Sequence, residues 1–193
     1  MIAFDVADLF DWLGAQSGWG AVVTMLPDAA ELDMADADYR RWLASAATRC
    51  FAASAGPTVF AITDRMRDGE WVDKAALITN AGRPNDAPML WHKIALRRAV
   101  GTIDLHRPTY SHILAYGPGR PGRRRPDVID GGPRSWPNAV GAETARFVAE
   151  WFRDVGVRRV LNPAGGAGTF ALACDRVGLE TRACDVERRG VWS

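Results

Sequence analysis

Residues 160–170 read Val-Leu-Asn-Pro-Ala-Gly-Gly-Ala-Gly-Thr-Phe, and no other stretch limits the fold as much. A short apolar run enters a cluster of glycines, and GTFALACDRVG (168–178) continues with helical character. After a strand, glycine lets the backbone turn sharply and approach a ligand with no Cβ in the way. The helix that follows presents unbonded N–H groups at its first turn. Gly166, Gly168 and Ala171 keep the G-x-G-x-x-G/A spacing, and Asp185 ends the next strand, LETRACD (179–185), 19 residues after Gly166. An acid at that place can hold ribose hydroxyls. Strand, turn, helix, strand and acid in this order predict an adenosine-containing ligand. A plain tight turn is the structural alternative.

The preceding 159 residues also alternate. VADLFDWLGAQSG reads as an amphipathic helix with Val6, Leu9, Phe10 and Leu13 on one face. GAVVTMLPD (20–28) is a buried strand stopped by Pro27, and Asp36 is placed to cap a helix over about 37–54 with Tyr39, Trp42, Leu43, Ala46 and Ala47 inward. TVFAIT (58–63) is a second buried strand, DRMRDGEW a polar turn, and VDKAALITNAG a short helix ended by Gly82. PMLWHKIALR (88–97) and PTYSHILAY (108–116) predict an antiparallel pair. A Gly/Pro/Arg loop without periodicity covers 117–137, followed by a helix at about 140–155 and a strand at 158–162. The expectation is an α/β fold with a mostly parallel sheet, as a single domain over 1–193.

Nearly half the residues are hydrophobic (48%), which excludes global disorder, and no apolar run approaches the roughly 20 residues of a membrane span. Asp5, Asp8 and Asp11 stand where a secretory leader would be basic. Cys50, Cys174 and Cys184 are too few and too scattered for a disulfide framework or a zinc site. They read as buried thiols in a reducing compartment, so a cytoplasmic protein without a membrane partner is expected. The net charge of +1 divides unevenly: −6 over 1–90, +6 over 91–134 and +1 over 135–193. The middle block attracts polyanions and carries all three histidines, His92, His106 and His112.

The stretch NPAGGAGT resembles the acid–Pro–aromatic–x–Gly–x–Gly–Thr loop of DNA amino-methyltransferases. In one permuted group of that family the catalytic half of the sheet precedes the S-adenosylmethionine half, which places the glycine turn late in the chain. The resemblance implies a Rossmann-like methyltransferase fold in circularly permuted order, with a catalytic half at 1–116, the loop at 117–137 and a cofactor half at 138–193. It implies S-adenosyl-L-methionine as cofactor. Asn162, Pro163, Ala164, Gly165, Gly166, Gly168 and Thr169 would form its loop, and Asp185 would hold its ribose. Asn162 stands in place of the family's acid and Ala164 in place of its aromatic.

For an exocyclic amine, that family uses a polar residue, Pro-Pro and an aromatic. Aligned on Pro27, this chain offers Met25, Leu26, Pro27 and Asp28. Asp28 is expected to contact the acceptor with Thr24 behind it, or merely to begin a turn. Asp64, at a strand tip, is a second catalytic candidate or an ion-pair partner of Arg65, Arg67 or Lys74. His92 is placed near substrate or is structural. Arg120, Arg123, Arg124 and Arg125 are expected to contact nucleic acid, DNA ahead of RNA, or to form a solvated loop. Trp71, Trp136 and Trp192 lie near turns, where one could stack on a base. A sheet ending at Asp185 would leave an open edge, which invites a homodimer. The function expected is methyl transfer to a nucleic-acid base. The alternatives are a methyltransferase-like regulator without catalysis and an NAD(P)-dependent oxidoreductase, and the acceptors left open include RNA and small molecules.

Overall fold

In the computed structural model the chain runs β1 (Ile2–Val6), α1 (Leu9–Gly14), β2 (Ala21–Thr24), α2 (Asp36–Ala53), β3 (Thr58–Ile62), β4 (Arg65–Arg67), β5 (Glu70–Val72), α3 (Lys74–Thr79), β6 (Met89–Leu96), β7 (Tyr110–Tyr116), β8 (Val128–Asp130), α4 (Ala142–Asp154), β9 (Arg159–Asn162), α5 (Thr169–Arg176) and β10 (Glu180–Asp185). The residues described are 1–67, 69–81, 87–105, 107–136 and 138–187. Gly82, His106 and Trp192, each given a place by the sequence, lie outside them.

Eight strands form one sheet in the order β1-β10-β9-β2-β3-β7-β6-β8. Strands β1, β10, β9, β2 and β3 are parallel. Strand β7 runs against both β3 and β6, which gives the expected antiparallel pair. Side chains two apart along a strand share a face, so each central strand feeds two cores. Val22, Phe60, Leu114 and Leu161 pack with α1, α2 and α3 on one face. Ala21, Val23, Val59, Ala61, Ile113 and Val160 pack with α4 and α5 on the other. Burial on both faces is why these strands read as continuous apolar runs rather than alternating ones. No helix among the described residues is long and apolar enough to cross a membrane.

Four local readings are corrected. Residues Ile2–Val6 are strand, so the helix expected from Val6 begins only at Leu9, and Val6 is exposed. Local sequence does not separate the two, because what orders this segment is β10, to which it pairs from Ile2↔Thr181 to Val6↔Asp185. Asp5 fixes the strand from its side chain, accepting from Trp12 Nε1 and Arg182 Nε, both at 2.7 Å. DRMRDGEW forms the hairpin β4–β5. The long loop contains β8, three residues that survive as strand because β6 supplies their partner. Asp36 is the first residue of α2 rather than its cap, and it holds Arg40 one turn on.

The edge expected at β10 is therefore covered by β1, and the argument for a dimer through that edge falls away. Deleting residues 1–7 should lower the melting temperature by several degrees and bare the polar groups of β10 to a second chain. Sedimentation velocity across protein concentration would register that self-association. A monomer with unchanged melting temperature would show that β1 contributes nothing.

Candidate functional site

From β9 the chain passes through α5 to β10 on one side, and from β2 through α2 to β3 on the other. The two helices lie on opposite faces of the sheet. At such a divide the carboxyl ends of the two central strands leave a crevice. A cavity of about 210 Å³ occupies it, bounded by the ends of β1, β10, β9 and β2. Two hydrogen bonds fix its floor. Asn162 Nδ2 donates to the Val23 carbonyl (2.9 Å), and Thr24 Oγ1 donates to the Pro163 carbonyl (2.6 Å). Both staples are buried and join β2 to the glycine turn.

The turn uses left-handed backbone at Ala164 (φ 49°), Gly166 (φ 53°) and Gly168 (φ 82°). For alanine that conformation costs about 1 kcal/mol, and a neighbourhood must hold it in place. Gly165 N–H, donating to the Cys184 carbonyl at 2.7 Å, is part of that hold. A Cβ on Gly166 would point into open space, meeting no protein atom within 4 Å. Asp185 Oδ2 accepts from Gly166 N–H at 2.8 Å, so the turn and the acid meet directly. Thr169 opens α5 and shares a 3.3 Å hydroxyl contact with Ser135. Asn162 Oδ1 also lies buried at the cavity wall with no hydrogen-bond partner among the described residues. A buried acceptor in that state gains from a ligand donor.

The charge on this cavity has one sign. Asp8, Glu31 and Asp185 line it, and no Lys, Arg or His does so among the described residues. Asp8 is positioned as the cap of α1, accepting from Phe10 and Asp11 N–H. Glu31 accepts from Asp28 N–H at 3.1 Å. Burial pushes the Cys184 thiol up to about 12, so it stays protonated at neutral pH. Trp42 and Trp136 supply aromatic wall. Trp42 is half-buried, stacked on Tyr39 with centroids 6.2 Å apart, where the helical pattern placed it fully inward.

Met25 and Glu31 also face a second cavity of about 50 Å³, which Asp28, Asp64, Arg65, Lys74, Arg97 and Arg107 surround. Asp28 is bracketed by Arg65 (3.2 Å) and Lys74 (3.6 Å), and accepts from Ala29 N–H at 2.8 Å. Burial raises its pKa, but the two cations and the backbone bond outweigh that and hold the carboxyl below the usual range. Burial likewise pulls the Lys74 ammonium down, against the pull of Asp28 and Asp64. Pro27 accepts from the Tyr39 hydroxyl (3.1 Å) and lines the larger cavity.

Several expected site residues also make structural hydrogen bonds. Thr24 is committed to its staple. Asp64 Oδ1 accepts from Lys74 N–H (2.9 Å) and Ala75 N–H (3.3 Å), the opening turn of α3, while Oδ2 faces His112 Nε2 at 3.2 Å. His112 in turn meets His92, which is exposed, at 2.8 Å. The arginines of the long loop lie at the far end of the sheet. Tyr116 pairs with Thr58 at the amino end of β3, so the loop leaves from the end opposite the cavity. Arg125 is held there by Asp154 and Glu150 and lies over the Phe147 ring. Arg120, Arg123 and Arg124 are exposed on the same stretch of loop. Sequence reasoning missed Asp8, Glu31, Arg97 and Arg107. No local motif marks them, because strands distant in sequence bring them together.

Burial raises the Asp64 pKa, but His112 and the α3 amides more than offset it, so the folded value lies below the ordinary one. A depressed carboxyl stabilises the fold above its unfolded pKa of about 4 and loses that contribution as pH falls through the folded value. Asp64→Asn should cost about 1–3 kcal/mol at neutral pH. The gap to wild type should narrow below about pH 4 in urea titrations. A gap independent of pH would show that the charge of Asp64 is irrelevant.

No family model matches the sequence, and no curated protein does. Solved structures are similar in fold. A protein of Thermus thermophilus assigned as a DNA modification methylase is 20% identical with a TM-score of 0.71, covering 97% of this chain and 89% of its own. Its complex with S-adenosyl-L-methionine gives a TM-score of 0.70 over 97% and 88%. The cytosine-N4-specific PvuII DNA methyltransferase is 12% identical with a TM-score of 0.75, over 96% of this chain and 82% of its own. The M1.HpyAVI complex with the same cofactor is 14% identical with a TM-score of 0.65, over 97% and 95%. At these identities the likeness establishes the fold: this chain has the α/β architecture, mostly parallel with an antiparallel pair, of those DNA methyltransferases.

Proposed function

We propose that the protein is an S-adenosylmethionine-dependent methyltransferase acting on an amino group of a nucleic-acid base, with DNA as the preferred polymer. The observation that carries this reading is the charge of the larger cavity, which has three carboxylates and no cation among its described lining residues. The methyl donor carries a sulfonium and an ammonium, both favoured by carboxylates in a partly dehydrated cleft. A nicotinamide dinucleotide brings a pyrophosphate, which the same three acids repel. The solved structures of similar fold that hold S-adenosylmethionine support the same choice.

Asp185 and the Gly165–Gly168 turn would hold the adenosyl ribose, and Asn162 Oδ1 would accept from the donor's ammonium. When bound, the cofactor supplies an activated methyl group whose transfer leaves a neutral thioether. The chain's own part is to hold an acceptor in line with that methyl. The smaller cavity, which shares Met25 and Glu31 with the larger, is the place for the acceptor. Asp28 is kept ionised by Arg65 and Lys74 and accepts a hydrogen bond from the incoming amine. Asp28 would keep the amine lone pair turned toward the methyl group, and the proton the amine sheds on methylation would pass to water.

The permuted order belongs to this reading. The glycine strand β9 comes late in the chain yet lies mid-sheet between β10 and β2. A split into an acceptor half at 1–116 and a cofactor half at 138–193 is not clean, since Glu31 and Trp42 of the first half also line the larger cavity. Strand β1 and Asp8, from the first residues, stand on the cofactor side.

Calorimetry should show S-adenosylhomocysteine binding and no NAD binding, and the reverse result would defeat the proposal. Asp185→Asn should weaken S-adenosylhomocysteine about tenfold, equivalent to about 1.4 kcal/mol. Asp28→Asn should leave that affinity within about twofold and lower turnover by about 100-fold or more, the scale of losing a positioned polar group. A labelled-methyl assay across DNA, RNA and small-molecule extracts measures that turnover. Binding without transfer to any of them would favour a regulatory protein, a reading supported by the two cations already bracketing Asp28.

A further inference from the structure

The smaller cavity differs from the larger in the sign of its outer rim. Arg97 and Arg107 line it from the β6–β7 connection, and Arg134 joins Arg97 at the next depression along the surface. Arg107 reaches across to Asn138, donating to Oδ1 at 2.9 Å, which ties this connection to the segment bearing Trp136. Arg97 Nη1 lies 3.5 Å from Ser111 Oγ, itself 2.6 Å from Thr63 Oγ1. Arg98 stands beside them, paired with Asp104 at 3.2 Å. Burial, and then repulsion from Arg134, Arg107 and Arg98, lowers the Arg97 guanidinium to about 10, so the cations crowd one another. The nearby carboxylates Asp28 and Asp64 are engaged by Arg65, Lys74 and the first turn of α3. Between Arg98 and Arg107 the chain also exposes Val100, Ile103 and Leu105, each more than 80% accessible. Apolar side chains set among arginines are what proteins insert between base steps.

From this arrangement we infer that Arg97, Arg107 and Arg134 form a phosphodiester-binding rim that seats the nucleic-acid backbone beside the acceptor cavity, with the Val100–Leu105 segment against its bases. The inference rests on the methyltransferase reading and refines it. A cationic donor goes to the acidic cleft and an anionic polymer to the basic rim, on neighbouring sides of Met25 and Glu31. It also moves nucleic-acid contact away from Arg120, Arg123 and Arg124, which lie at the other end of the sheet.

The test uses the full chain, saturating S-adenosylhomocysteine and a fluorescent duplex DNA of mixed sequence, titrated at several salt concentrations. The paired substitution Arg107→Ala with Arg134→Ala should weaken binding about tenfold or more and reduce the log–log salt slope by about two, nearly one per lost phosphate contact. Arg134→Glu, at an exposed position, should do likewise, with circular dichroism checking that the variant is folded. Arg123→Ala with Arg124→Ala should change neither affinity nor slope. The inference is overturned if the slope follows Arg123 and Arg124 instead, or if wild type binds S-adenosylhomocysteine but no DNA. Absence of S-adenosylhomocysteine binding would fail the methyltransferase reading alone, and the salt slopes of the variants would still decide the rim.

Discussion

Two buried hydrogen bonds decide where this protein can hold a ligand. Asn162 to the Val23 carbonyl and Thr24 to the Pro163 carbonyl join β2 to the glycine turn at the point where the chain's two directions part. Without them the carboxyl ends of β2 and β9 would be free to splay, since the helices that follow pull toward opposite faces of the sheet. With them the turn keeps left-handed backbone at Ala164, a conformation alanine does not choose alone. The single nitrogen of Asn162 serves the staple and its oxygen is left for the cavity. An amide does both at once because it carries a donor and an acceptor on one group, whereas an ionised acid there could not donate to Val23.

The second organising feature is the separation of charge across a short distance. Asp8 and Glu31 come from two different connections and Asp185 from the end of β10, yet all face the larger cavity. Arg97 and Arg107 line the smaller one from another connection, and Arg134, from the segment after β8, joins Arg97 at the adjoining depression. Asp28 sits on the boundary and is kept ionised by Arg65 and Lys74. A near-neutral chain thus presents two fields of opposite sign, which suits the proposed pairing of a cationic donor with an anionic polymer.

Much of the fold was legible because it is local. Buried strands such as AVVT and TVFAI and the face of α4 carry their pattern in consecutive residues, and Gly166 to Asp185 is one contiguous unit. What was misread depends on partners distant in sequence. Strand β1 becomes a strand because β10 accepts it, 179 residues from Ile2 to Thr181 in the first pair of the register. Strand β8 exists because β6 offers an edge. The partners of Asp64 were equally out of reach of local pattern: the amides of α3 and the His112 ring meet its oxygens.

By itself the sequence determined the class of sheet, the glycine turn with its acid, and the abundance of arginine between 91 and 134. Periodicity, backbone freedom and charge are properties of neighbouring residues, so they are written in order along the chain. The tertiary structure alone decided which arginines stand beside the cavity, which acids line it, and which strand closes the β10 edge. Those outcomes depend on the direction in which each strand runs. Because β7 is antiparallel to β3, the loop after it emerges at the end of the sheet opposite the cavity, and the connection before it emerges at the cavity end.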